Sequence, residues 1–169
     1  MNSKTKKVTF IGVMTAFALV LAYVELLLPP IFATLPAIKI GLPNMAVLFL
    51  LYKFSFKEAA LCSAVRIIMV ALLFGNAVSL LYSLAGGLLS LVVMVLLKKS
   101  NLFSAVGVSV AGAVSHNLGQ IIAAILILET VEIGYYIPVL IVSGTVAGVA
   151  VGLLSSLVLK YLSNKNFYF

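Results

Sequence analysis

The chain has 169 residues, of which 64% are hydrophobic and only 9% are charged, and its formal net charge is +7. This composition excludes a soluble globular domain, because too few charged side chains remain to cover a water-exposed surface. The positive charge does not indicate nucleic-acid binding, because the basic residues lie at the ends of apolar runs and form no single basic face.

Long apolar runs predict an all-α integral membrane bundle of six transmembrane helices, since about 20 residues of helix cross a bilayer. The runs are continuous and lack the alternating pattern of barrel strands. We expect one transmembrane domain, 1–169, with helices at about 8–28, 43–52, 58–74, 77–97, 102–128 and 137–162.

The first apolar run follows three lysines but is too long for the core of a signal peptide, and no small-residue cleavage site follows it. We therefore assign it to the first helix. The segment 29–43 contains four prolines and is predicted to be a structured loop. The second run is short, so its helix should tilt, break or extend back through Ile38. The segment 129–136 is predicted to be a short acidic and aromatic loop.

The positions of the lysines predict the orientation of the bundle. Lys39 lies on one side of the predicted membrane and Arg66 lies within a helix, whereas all other basic residues fall on the opposite side. These are the lysines at positions 4, 6, 7, 53, 57, 98, 99, 160 and 165. An excess of Lys and Arg in short loops marks the cytoplasmic side. Both termini are therefore expected in the cytoplasm, with the loops 29–43 and 129–136 facing outward.

Arg66 is the first candidate for a ligand-binding residue, because a charged side chain deep in a membrane is expensive and is often functional. Its guanidinium group offers five donors and suits a carboxylate or a phosphate, so the sequence predicts an anionic substrate. The alternative is a structural role, in which Arg66 pairs with a carbonyl group or with Glu25. Residue type and position leave both interpretations open.

A polar step in the fifth predicted helix gives three further candidates, His116, Asn117 and Gln120. His116 and Gln120 are four residues apart and share a helix face. These groups could bind a ligand or could join helices by hydrogen bonds. The number of polar groups favours a binding site. With Arg66, they could line one outward-facing cavity together with the residues near the outer loop, which are Glu25, Lys39 and Asn44.

No enzyme activity, metal site or cofactor is predicted. The sequence has no Asp-rich motif for magnesium diphosphate, no nucleophile beside a base and no Walker motif. One histidine and one cysteine, with no aspartate at all, make a poor set of metal ligands.

Small residues at intervals of four predict close helix contacts, as is common in membranes. The glycines at 144, 148 and 152 are predicted to pack inside the bundle. The first helix carries two such steps on nearby faces, Gly12 with Ala16 and Ala18 with Ala22.

Two segments carry a family resemblance. They are Pro-Ala-Ile-Lys-Ile-Gly-Leu-Pro-Asn at 36–44, which follows a helix ending near Glu25, and Ser-His-Asn-Leu-Gly-Gln at 115–120. Both resemble the Gx transporter family, also catalogued as heptaprenyl diphosphate synthase component I. That family in turn resembles the substrate-binding S components of energy-coupling factor (ECF) transporters. The resemblance covers most of the chain, from the first helix to the sixth.

The resemblance implies a subunit for uptake of a small vitamin-like or quinone-precursor molecule across the bacterial plasma membrane. It implies a pocket near the outer face, closed by the loop 29–43. It also implies that Ala18 and Ala22 dock on a transmembrane coupling (T) subunit, which is driven by two cytoplasmic ATPases. The second catalogue name implies an alternative, a non-catalytic membrane accessory subunit of polyprenyl diphosphate and quinone synthesis that anchors a soluble synthase.

Overall fold

The computed structural model describes residues 3–27 and 41–164, with side chains for 4–27 and 41–161. These residues form six α-helices and one short 3₁₀-helix, η1, and contain no β-strand. The helices are α1 (Ser3–Leu27), α2 (Asn44–Lys53), α3 (Phe56–Phe74), α4 (Ala77–Ser100), α5 (Ala105–Leu128), η1 (Val131–Tyr136) and α6 (Ile137–Asn164). The predicted all-α class is confirmed. Lys39 and the rest of the predicted loop before residue 41 lie outside the described residues.

Four segments of the described chain are long and apolar enough to cross a membrane, namely α1, α4, α5 and Val131–Tyr161. This is compatible with the predicted membrane bundle. Helix α2 has only 10 residues, too few for a span, and α3 has 19 residues but carries three charged side chains, Lys57, Glu58 and Arg66. The sequence thus predicted six helices, of which four meet the length and hydropathy expected for a membrane span.

Local capping groups explain where the helices begin. Ser55 accepts a hydrogen bond from the Lys57 N–H at the start of α3, and Asn76 accepts one from the Ser79 N–H at the start of α4. Side-chain oxygens at this position satisfy amide groups that lack a partner within the helix.

Three predicted boundaries are wrong. Helix α1 begins at Ser3 instead of about 8, α4 continues through its two lysines to Ser100, and α5 begins at Ala105 instead of 102. The reason is that Asn101 adopts the left-handed conformation that ends α4, and Ser104 caps α5. The segment predicted as a loop at 129–136 is also mostly helical, because η1 begins at Val131.

Helix α2 lies at the centre of the bundle and contacts α1, α3 and α6. Its residues 46–51 are all buried, as expected for a helix that is apolar on every face. Helix α3 also packs against α1 and α4, and the consecutive helices α4, α5 and α6 pack side by side. The lysines of α1 to α4, which the sequence predicts on the cytoplasmic side, lie at one end of this bundle.

Four helix ends meet at the lysine-rich end of the bundle. Lys7 of α1 forms a 2.6 Å ion pair with Glu58 in the first turn of α3. Lys98, near the end of α4, donates a hydrogen bond to the backbone carbonyl of Leu51 in the last turns of α2. The contacts bring the start of α1, the end of α2, the start of α3 and the end of α4 together, so their lysines gather at one end.

Glycines allow α6 to approach α5 closely. A Cβ atom at Gly148 would lie 2.6 Å from the Cα atom of Val110, and one at Gly152 would lie 2.8 Å from the Cα atom of Val106. Both contacts are with backbone, which cannot rotate away. The predicted packing of the α6 glycines inside the bundle is confirmed.

Candidate functional site

A small cavity lies at the end of the bundle opposite the lysines. Its volume is about 20 Å³, which is room for about one water molecule. It is bounded by the last turns of α1, the residues just before α2, the second half of α3, the first turns of α4 and the middle of α5. The lining residues are Ala22, Glu25, Gly41, Pro43, Arg66, Ile67, Val70, Ser83 and His116.

Arg66 supplies the positive charge of this cavity. Only 7% of its surface is exposed, although it carries a full charge. The nearby carboxylate of Glu25 stabilises that charge electrostatically. The Nε atom of Arg66 is buried and has no hydrogen-bond partner among the described residues. Since buried polar groups are nearly always satisfied, a group that enters the cavity could accept a hydrogen bond from this donor.

Glu25 joins the end of α1 to the residues that precede α2. It is 8% exposed, and its carboxylate accepts a hydrogen bond from the backbone N–H of Gly41. Gly41 has a φ of +86°, a left-handed backbone conformation that residues with a side chain rarely adopt. The glycine in the Lys-Ile-Gly-Leu-Pro-Asn motif is therefore needed to turn this N–H group toward Glu25. Gly41 belongs to the motif that carries the family resemblance, but it was not predicted as a site residue.

His116 and Ser83 form the wall of the cavity on the side of α5 and α4. His116 is 4% exposed. Its helix lies very close to α4, since a Cβ atom at Gly86 would be 2.7 Å from the backbone carbonyl oxygen of His116. Ser83 was not predicted as a site residue, and nothing in the sequence distinguishes it from the other serines of α4. The structure thus brings Glu25, Arg66 and His116 together at one cavity, and ligand binding by these residues remains a prediction.

The other polar residues of α5 lie at helix contacts. The Nδ2 atom of Asn117 donates a 3.0 Å hydrogen bond to the backbone carbonyl of Leu140 and so joins α5 to α6. The side chain of Gln120 packs against Gly86 of α4, and Gln120 does not line the cavity. Asn44 directly follows Pro43, which lines the cavity, and packs against Gly41. Ligand binding by Asn117, Gln120 and Asn44 remains a prediction.

Comparison with known proteins identifies the family of this chain. The sequence model of the family described as heptaprenyl diphosphate synthase component I matches residues 14–158. The chain belongs to this family. The predicted family membership is thus confirmed under its synthase name, and the match includes every residue that lines the cavity. No curated protein and no solved structure shows significant similarity to the chain.

In this member of the component I family, Ala18 and Ala22 face the inside of the bundle. Ala18 is fully buried in the core with residues of α2 and α3, and Ala22 lines the cavity. Neither is accessible to a partner in this structure, although the resemblance implied that both dock on one. The second small-residue step of α1 lies on the outside, because Gly12 and Ala16 are both exposed.

The described residues of this family member contain no cluster of three or more His, Cys, Asp or Glu side chains that could hold a metal ion. The polar lining of the cavity consists of one guanidinium group, one carboxylate, one imidazole and one hydroxyl group. This set can bind a polar ligand by charge and hydrogen bonds.

Proposed function

We propose that the chain is the substrate-binding membrane subunit, or S component, of an ECF-type uptake transporter. Its substrate would be a small vitamin-like or quinone-precursor molecule. The observation that carries this proposal is the cavity formed by Glu25, Arg66 and His116 between four helices. Ionisable residues inside a membrane bundle commonly mark a substrate pathway. The lysine distribution supports an orientation with this cavity toward the outside of the cell.

The small size of the cavity supports a proposal that the structure represents a closed conformation. A volume of about 20 Å³ is far below the several hundred Å³ of a typical small-molecule site. Substrate entry therefore requires the walls to separate. The contact between α4 and α5 is held together by close backbone packing at Gly86 and Gly119, whereas much of α1 is exposed on its outer face. We expect α1 to move away from the helices on the other side of the cavity.

Transport would require a membrane coupling (T) subunit and two cytoplasmic ATPases, since the chain has no nucleotide-binding motif of its own. The exposed face of α1 that carries Gly12 and Ala16 supports docking of the coupling subunit on this helix, because small residues permit close approach in lipid. Ala18 and Ala22 would join the contact only after a movement of α1.

Co-purification tests this proposal. The chain is co-expressed with the coupling subunit and both ATPases, and the complex is isolated through a tag on the chain. We expect all four proteins in the complex. Ala16→Leu should weaken the association, whereas Ala150→Leu, at an exposed alanine of α6, is the matched control and should not. If the proteins do not associate when all are expressed, the transporter proposal is wrong.

The description of the family supports a second candidate, a non-catalytic membrane subunit that anchors a polyprenyl diphosphate synthase. Partner identity separates the two. A pull-down from native membranes that contains a prenyl synthase and no ATPase would support the accessory role. In that case, substitution of the cavity residues should leave the association with the synthase unchanged.

A further inference from the structure

We infer that the cavity binds an oxyanion, the carboxylate or phosphate group of the ligand, through the guanidinium group of Arg66. This inference rests on the proposed function, because it names the chemical class of the molecule that the subunit binds. It also assigns a role to the buried nitrogen of Arg66 that the fold does not use.

Arg66 is buried but has a hydrogen-bond donor to offer to a ligand. More than nine-tenths of the side chain is buried, yet it lines the cavity, and its Nε atom has no partner within the described residues. A buried donor that makes no hydrogen bond is unfavourable, and for a charged group the penalty is larger. A ligand atom in the cavity can accept this hydrogen bond. Two adjacent N–H groups of a guanidinium suit the two oxygens of a carboxylate or phosphate.

The rest of the lining adds donors beside Arg66. The carboxylate of Glu25 already accepts a hydrogen bond from the protein, at the N–H group of Gly41, and also faces the charge of Arg66. Ser83 has a hydroxyl group that can donate, and His116 can donate from a ring nitrogen. The remaining walls are apolar, apart from Gly41. A ligand that accepts hydrogen bonds therefore finds up to three donors here, and Arg66 is the one that can only donate.

The cavity volume limits what reaches Arg66. In the closed state about 20 Å³ admits one or two oxygen atoms and excludes a whole vitamin-sized molecule. The charged end of the ligand should thus contact Arg66, while the remainder lies toward the outer end of the bundle. A small oxyanion alone is then expected to bind weakly, which makes acetate and inorganic phosphate suitable probes.

Thermal unfolding of the detergent-purified protein tests the inference. Cys62 is the single cysteine of the chain and is fully buried, so its reaction with a thiol-reactive dye reports unfolding. Sodium acetate, inorganic phosphate and neutral acetamide are compared at constant ionic strength, with chloride as the balancing anion. We expect acetate or phosphate to raise the Tm by about 2–4 °C, and acetamide to have no effect. The anion that stabilises more identifies the carboxylate or the phosphate class.

Variants show whether the effect belongs to Arg66. Arg66→Gln should abolish the increase in Tm, and Arg66→Lys should reduce it, because lysine keeps the charge but loses the paired N–H groups. Lys99→Gln removes one exposed charge at the other end of the bundle and should keep the full increase. If Arg66→Gln does not fold, Glu25→Gln/Arg66→Gln replaces it, since the double variant leaves no single buried charge.

Three results would overturn the inference: neither anion raises the Tm of the parent protein, acetamide raises it equally, or the increase persists without Arg66. The outcome is separable from that of the transporter proposal. Association with the coupling subunit without any effect of anions would remove only the oxyanion. An effect of anions that depends on Arg66, without an ATPase partner, would support the site and count against the transporter.

Discussion

Replacement of Gly148 by alanine should force α6 away from α5. The new Cβ atom would lie 2.6 Å from the Cα atom of Val110, and 3.1 Å from both the Val110 nitrogen and the Ser109 carbonyl oxygen. All three neighbours are backbone atoms, so no side-chain rotation relieves the contact. Ordinary contact begins at 3.4 Å, and the closest pair is at 2.6 Å, so the helices must separate locally by about 0.8 Å.

The size of the effect follows from the dispersion energy lost at the helix contact. A gap of 0.5–1 Å removes about a quarter to a half of the attraction of each atom pair, and each pair contributes about 0.1–0.2 kcal/mol. For roughly 40 pairs at the middle value of about 0.15 kcal/mol, comparable to one buried side chain, the loss is about 1.5–3 kcal/mol. Alanine favours helix over glycine by about 1 kcal/mol, which offsets part of this loss. The net destabilisation should be about 0.5–2 kcal/mol.

The assay is thermal unfolding in detergent, with the reaction of buried Cys62 as the signal. A loss of this size corresponds to a decrease in Tm of about 1–8 °C for a chain of this length. Gly12→Ala is the matched control, because a Cβ atom there has nothing within 4 Å. It should leave the Tm unchanged or raise it. If Gly148→Ala unfolds at the same temperature as Gly12→Ala, or at a higher one, the packing argument is refuted.

Three further substitutions test the polar contacts of the bundle by the same unfolding assay. Asn117→Ala should destabilise the protein by about 0.6–1.7 kcal/mol, because it removes the hydrogen bond to Leu140; an unchanged Tm would contradict the contact. Arg66→Met should destabilise the protein more than the double variant Glu25→Gln/Arg66→Met, because the single change leaves the buried carboxylate of Glu25 without its counter-charge. If the effects of the two substitutions simply add, Glu25 and Arg66 are not coupled. Glu58→Gln should change the stability by less than about 1 kcal/mol, because Lys7, its partner in the ion pair, is 41% exposed, and a larger loss would show that the pair holds α1 in place.

The candidate site was predicted in part. Glu25, Arg66 and His116 were recognised because an ionisable side chain within a long apolar run is unusual wherever the helix faces. Gly41 and Ser83 could not be recognised in this way, because neither residue type is unusual in a loop or a membrane helix. Their roles depend on a backbone angle and on the approach of α4 to α3, which no local pattern encodes.

The sequence by itself determined the helices. Apolar runs separated by lysine pairs, prolines and capping residues predicted six helices in the correct order, with ends wrong by a few residues. Runs of this kind need only local hydrogen bonds to form helices. The family also followed from the sequence, because the motifs at 36–44 and 115–120 resemble it, and its model matches residues 14–158.

Only the tertiary structure decided which face of each helix turns inward. In water, polar residues mark the outer face of a helix, but lipid is as apolar as the protein core, so membrane helices lack this signal. Sequence patterns therefore could not distinguish the buried pair Ala18 and Ala22 from the exposed pair Gly12 and Ala16, which lie on nearby faces of the same helix. The packing of α1 against α2 and α3 buries the first pair and leaves the second exposed.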